Sequence, residues 1–136
     1  MNSHLGVCVI GSGRAGMIHA RNFRAGIPGA ELVAVADPVE EARTEAARHL
    51  DISTTFRGYE EAVADERVHA VVVVAPTVFH REIVVAAAQA GKHILCEKPM
   101  AMNSVECREM IKVTREAGVK LQIGFMRRFD ESFGDA

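Results

Sequence analysis

Residues 5–16 read Leu-Gly-Val-Cys-Val-Ile-Gly-Ser-Gly-Arg-Ala-Gly, and the fold turns on this stretch. A short β-branched apolar run, Leu5 to Ile10, leads at once into Gly11-Ser12-Gly13-Arg14-Ala15-Gly16. A helical pattern then runs from Arg14 to Arg24 and stops near Gly26 and Pro28. A GxGxxG by itself is a weak signal; between a strand and a helix it acquires a mechanism. Gly11 permits a tight turn, Gly13 lets backbone approach a pyrophosphate, and Gly16 lets the helix pack close to the strand. The helix start offers unpaired N–H groups and partial positive charge to a phosphate. The plain alternative is a glycine-rich turn that holds no ligand.

Outward from this turn the chain alternates strand-like and helix-like segments. Glu31–Ala36 is a second strand, and Val39–Leu50, rich in Ala, Glu and Arg, is helical. Ile52–Phe56 is a weaker third strand and Tyr59–Ala64 a short helix. Ala70–Val74 is apolar throughout, as suits a central parallel strand covered on both faces. Phe79–Ala90 is helical up to Gly91, and His93–Cys96 is a fifth strand. Ser104–Ala117 is a helix with Ser104 as its N-cap and Gly118 as its stop, and Lys120–Phe125 is a sixth strand. This alternation predicts an α/β fold, a doubly wound six-stranded parallel Rossmann sheet of order 3-2-1-4-5-6.

Composition limits the function classes. Of 136 residues, 49% are apolar and 25% charged, ordinary for one globular domain. The net charge of -2 with both signs scattered argues against a nucleic-acid or anionic-membrane partner, since either needs a basic face. The pair Arg127-Arg128 is too short to alter that. No run approaches the roughly 20 apolar residues of a bilayer span. Leu5–Ile10 is too short for a signal peptide. Cys8, Cys96 and Cys107 are odd in number and lack CxxC spacing. They are expected to be reduced thiols of a cytoplasmic protein, with no metal site.

Three further residue groups carry chemistry. Asp37 ends the second strand, 21 residues after Gly16. A carboxylate there can accept from both ribose hydroxyls and repel a 2′-phosphate, favouring NAD over NADP. Its alternative role is to start a turn before Pro38. Arg14 and Arg43 could neutralise a phosphate and leave room for NADP. Ala75-Pro76-Thr77-Val78-Phe79-His80 follows the central strand, where strand ends face a ligand crevice. Thr77 could cap the next helix, and His80, taken as a bare residue, leans structural. Glu97-Lys98-Pro99 ends the fifth strand. A lysine there could hold or polarise a hydroxyl or carbonyl, where an isolated lysine would be a solvated surface group.

Taken together, GSGRAG with His19, AVADP, APTVFH, AGKHILCEKP and GFMRRFD resemble the glucose–fructose oxidoreductase and inositol dehydrogenase family over essentially the whole chain. The resemblance implies an N-terminal dinucleotide-binding domain of an enzyme that oxidises or reduces a polyol, inositol or sugar. It implies cofactor contacts from Gly11, Gly13, Arg14, Ala15, Gly16 and Asp37. Pro76, Thr77 and His80 would line the path toward the nicotinamide, with Glu97 near the ring. Lys98 would be the active-site lysine, aimed into the cleft by a cis peptide before Pro99. His19 would be a packing residue on the first helix. The family continues into a second domain that supplies the substrate pocket and a catalytic Asp and His pair. Residues 1–124 are therefore expected to be the NAD-binding domain and 125–136 the start of a connection. Such a chain would bind NAD without turnover, because Lys98, open to water, should stay protonated and cannot replace a histidine base. Apolar surface near the sixth strand, Phe125, Phe129 and Phe133 would favour self-association. A dinucleotide-sensing regulator and a methyltransferase are the competing classes. The intact EKP speaks against the first, and the segment around Lys98 against the second.

Overall fold

The structure, a computed structural model, describes residues 4–124. It has strands β1 (Leu5–Ile10), β2 (Ala30–Ala36), β3 (Thr55–Phe56), β4 (Ala70–Val73), β5 (His93–Glu97) and β6 (Leu121–Gly124). Its helices are α1 (Arg14–Gly26), α2 (Glu40–Leu50), α3 (Tyr59–Ala64), α4 (His80–Gln89) and α5 (Ser104–Ala117). The strands form one sheet in the order 3-2-1-4-5-6, every pair parallel. The proposed continuation of the sixth strand to Phe125, the Arg127-Arg128 pair, the Phe129 and Phe133 surface and the 125–136 connection lie outside the described residues.

Alternation along the strands sends side chains to two cores. Cys8, Ile10, Val71, Val73, Ile94 and Cys96 face α3, α4 and α5, where Ile83, Val84 and Met110 close over them. Val7, Val9, Leu32, Val35 and Val72 face α1 and α2, against Ala20, Ala46 and Leu50. On β2 the alternation slips, because the register against β1 shifts between Val7 and Cys8: Val7 pairs with Leu32 but Cys8 with Ala34. This bulge lets Leu32 and Val35, three residues apart, share a face. Val71–Val73 are buried on both faces, as their continuous apolar character requires.

Three local expectations are corrected. Asn103, not Ser104, caps α5: its side chain accepts the Glu106 N–H at 2.9 Å, while the Glu106 carboxylate reaches back to the Met102 N–H. Asn is as strong a cap as Ser, and this one lets Ser104 enter the first turn. Thr77 caps nothing; it opens a 3-10 turn, Thr77–Phe79, that precedes α4. The third strand shrinks to Thr55–Phe56, since only those two residues reach β2, at Val35 and Ala36.

Helix α1 packs on β1 and β2, while α4 packs on β4 and β5 from the other side. Among the described residues no helix covers β5 and β6 on the α1 side. A groove of about 320 Å³ opens there, bounded by His19 and Phe23 of α1, Val72, Leu95, and Gln122 of β6.

Candidate functional site

The sheet order reverses between β1 and β4, and ligands of such sheets bind beyond the strand ends at that point. Backbone bonds hold the strand ends together: Gly11 N–H donates to Ala36 O and Val74 N–H to Ile10 O, both at 2.8 Å. Gly11 sits at φ +107°, a conformation that favours glycine, and a Cβ there would stand 2.9 Å from the Val74 carbonyl carbon. A Cβ on Gly16 would overlap the Gly11 carbonyl oxygen, so only glycine lets α1 start this close to the turn.

Gly13, the residue before α1, faces open space: nothing lies within 4 Å of where its Cβ would be. No side chain caps α1, and its first turn holds no acidic residue. The first intrahelical bond runs from Met17 N–H to Gly13 O, so the amides of Arg14, Ala15 and Gly16 have no intrahelical acceptor. Arg14 and Ala15 are exposed beside them. A pyrophosphate needs an uncapped helix start, free amides, room at the turn and no competing carboxylate. The residues present fit that group.

Asp37 lies half-buried just past β2. Its Oδ2 accepts from the Ser12 hydroxyl at 2.7 Å and the Ser12 N–H at 3.0 Å; its Oδ1 accepts from the Val39 N–H at 2.9 Å. The last bond is the turn before Pro38, the plain reading of Asp37. A carboxylate has about four acceptor positions, so three bonds leave capacity for a ribose hydroxyl. Burial pushes the Asp37 pKa up. The Ser12 and Val39 donors and the Arg43 charge outweigh burial and hold it below the ordinary carboxylate value. Arg43 rests on the Asp37 and Pro38 carbonyls, at 3.3 and 3.4 Å.

On the other flank, Pro76 is exposed and Thr77 half-buried at the end of β4. His80 is buried behind them. Its Nε2 lies 2.7 Å from Ala75 O and its Nδ1 3.0 Å from Pro99 O. The ring ties the turn after β4 to the turn after β5. Glu97 is buried at the end of β5, Lys98 is exposed, and the Lys98–Pro99 peptide is cis. Among the described residues the Lys98 side chain makes no hydrogen bond.

The structure gives two residues roles that their sequence signals did not show. Ser12, an unspecified position within GxGxxG, is the principal partner of Asp37. His19, expected as packing, has its Nε2 2.5 Å from Glu97 Oε1 across 78 residues of chain. A polar residue on the strand-facing side of the first helix was the available signal. Cys8 and Cys96 are buried free thiols whose pKa burial raises to about 12, so neither is a nucleophile at neutral pH. Among the described residues no three His, Cys, Asp or Glu side chains form a metal cluster. None of the described helices is long and apolar enough to cross a membrane. A second, open concavity of about 970 Å³ lies at the opposite ends of the strands, around Gly6, Arg67 and His69.

Fold and site together define a dinucleotide-binding domain of the Rossmann type. Comparison with known proteins makes this specific: residues 5–125 match the oxidoreductase family with an NAD-binding Rossmann fold, and the chain belongs to that family. It is 38% identical over its full length to scyllo-inositol 2-dehydrogenase (NAD(+)) of Bacillus subtilis, covering 40% of that protein. It is 41% identical over 125 residues to myo-inositol 2-dehydrogenase of Thermotoga maritima, covering 92% of this chain and 37% of that one. Among solved structures, scyllo-inositol dehydrogenase from Lactobacillus casei, with bound NAD(H) and scyllo-inositol, superposes with a TM-score of 0.90 at 32% identity. That match covers 97% of this chain and 39% of the other. The chain thus spans about two-fifths of the length of the curated relatives it matches.

Proposed function

We propose that residues 1–124 form the NAD(H)-binding domain of an oxidoreductase acting on the CH–OH group of an inositol, another polyol or a sugar, and that residues 125–136 begin the connection to a substrate domain. The observation that carries this is the pairing of an uncapped, acid-free helix start at Gly13–Gly16 with a carboxylate, Asp37, anchored one residue away on Ser12. NAD supplies hydride acceptance at its nicotinamide. The chain's own residues do the rest. Arg14, Ala15 and Gly16 present amides to the pyrophosphate, and Asp37 accepts from the adenosine ribose and disfavours a 2′-phosphate. Pro76 and Thr77 flank the path beyond β4, with His80 bracing it. Lys98 donates toward the substrate oxygen. The inositol dehydrogenases among its relatives support the substrate class.

Among the described residues no general base stands in the crevice: His80 is buried against carbonyls and Glu97 is held by His19. The 136-residue chain is therefore expected to bind NAD(H) without oxidising a polyol. A dinucleotide-sensing regulator would need no substrate-directed lysine; the intact Glu97-Lys98-Pro99 at this strand end favours the enzyme. The three free cysteines fit a cytoplasmic setting, and the groove beside β6 is apolar surface through which copies could associate. The test is calorimetric titration of the chain with NADH, NADPH and S-adenosylmethionine, followed by incubation with NAD and a panel of inositols and sugars. Binding that favours NADH without NADH production is the expected result. Failure to bind NADH overturns the reading, and steady NADH production overturns its second part.

A further inference from the structure

Three elements meet at the Glu97 carboxylate. Glu97 is the last residue of β5 and directly precedes Lys98. From α1, His19 Nε2 approaches Glu97 Oε1 at 2.5 Å, with the two side chains 22% and 11% exposed. From β6, Gly124 pairs with Glu97 in register, and a Cβ on Gly124 would stand 3.3 Å from Glu97 Oε1 and 3.4 Å from its Cδ. The glycine leaves the carboxylate the room that it occupies. Helix α1 packs on β1 and β2, and no described helix covers β5 and β6 on its side. Among the side-chain hydrogen bonds of the described residues, His19–Glu97 is the one link from the helix that begins at the phosphate turn to the strand that ends just before Lys98.

We propose that His19 is a positioning residue: by holding the Glu97 carboxylate from α1, it sets the end of β5, and Lys98 with it, against the phosphate-binding turn. The physical argument is one of leverage. Strand β5 is fixed along its length by β4 and β6, but its last residue has only Gly124 beside it in β6. A side chain anchored midway along α1 removes the freedom that remains. Because α1 also carries the amides for the pyrophosphate, the same helix then references both Lys98 and the cofactor. This inference deepens the NAD(H) reading and rests on it for the second measurement below, but not for the first.

The experiment uses the 136-residue chain and two variants. His19→Phe keeps a ring without a donor, and His19→Gln keeps an N–H donor without the ring. The first measurement is amide hydrogen exchange without ligand. In His19→Phe the amides of Glu97 and Lys98 should exchange at least tenfold faster, while those of β1 and β4 stay within twofold. In His19→Gln all should remain within threefold of the parent. The second measurement is acylation by acetic anhydride, mapped by peptide, with Lys92 and Lys112 as internal standards. Bound NADH should slow Lys98 acylation at least fivefold in the parent and in His19→Gln. It should slow it less than twofold in His19→Phe, at saturating NADH. Equal behaviour of the two variants, or faster exchange throughout the sheet, overturns the positioning role. A parent chain that binds no NADH overturns the NAD(H) reading instead, one whose Lys98 stays unprotected by bound NADH overturns the placement of Lys98 beside the cofactor, and in either case the exchange measurement still decides on His19.

Discussion

Asp37 and Ser12 are joined twice: one carboxylate oxygen, Oδ2, accepts both the hydroxyl at 2.7 Å and the backbone N–H at 3.0 Å. The acid at the end of β2 is therefore preset against the glycine turn. Asp37→Ala removes a charged acceptor that should also serve the ribose, a loss of ~1.5–3 kcal/mol, so NADH should bind roughly ten- to a hundredfold more weakly. NADPH affinity should fall less or rise. Paired calorimetric titrations check this, and an equal loss for both dinucleotides would remove Asp37 from the selection.

Among the described residues four carboxylates, Asp37, Glu45, Asp65 and Glu109, are lowered in the folded chain, and Asp37 and Asp65 both add to the acid limb of its stability. The Arg67 side-chain and backbone donors hold the Asp65 pKa at about 2, and Asp37 is lowered as described. In the unfolded chain both take a proton near pH ~3.9. Below that point the unfolded chain binds more protons than the folded one, so stability falls as pH drops toward 2. Above pH ~5 these two groups add no slope. Urea unfolding at a series of pH values should show this, and Asp65→Asn should flatten the acid limb.

The thiols should divide by burial. Cys8 and Cys96 are buried with pKa values raised to about 12, whereas Cys107 is half-buried on α5. At pH 8 iodoacetamide should label Cys107 in the native chain and all three cysteines only after denaturation. Mass spectrometry of the intact protein and its peptides reads this directly.

Gly16→Ala tests the close start of α1. The new methyl would overlap the Gly11 carbonyl oxygen, so the helix must lift from the turn. NADH affinity should drop at least tenfold, and stability by ~1–3 kcal/mol as for other overpacked sites. Gly13→Ala, where space is open, should leave urea stability nearly unchanged while still obstructing the phosphate. Two variants of similar stability would refute this contrast.

Much of the architecture was legible because local signals agreed. The apolar runs of β1 and β4, the glycine turn and the Gly118 stop each imply the observed element, and their alternation implies the sheet order. Asp37 was legible because chain spacing places it. The errors came where neighbouring residues could serve equally: Asn103 and Ser104 are both good caps, and only the helix phase chooses between them. Ile52 and Thr54 carry strand-like character but have no partner in β2. His19 was opaque for a different reason. Its partner lies 78 residues away, and a histidine on a helix carries no local mark of what faces it in the sheet.

The bulge opposite Val7 and Cys8 changes what the distance from Gly16 to Asp37 means. Seven residues of β2 run beside six of β1, so Val33 is counted along the chain but adds no rung to the ladder. A relative with a regular β2 would bring its acid to the same place with one residue fewer. The interval between the glycine turn and Asp37 is thus a ruler with a folded mark. A search that demanded a fixed interval would pass over proteins whose sites coincide with this one.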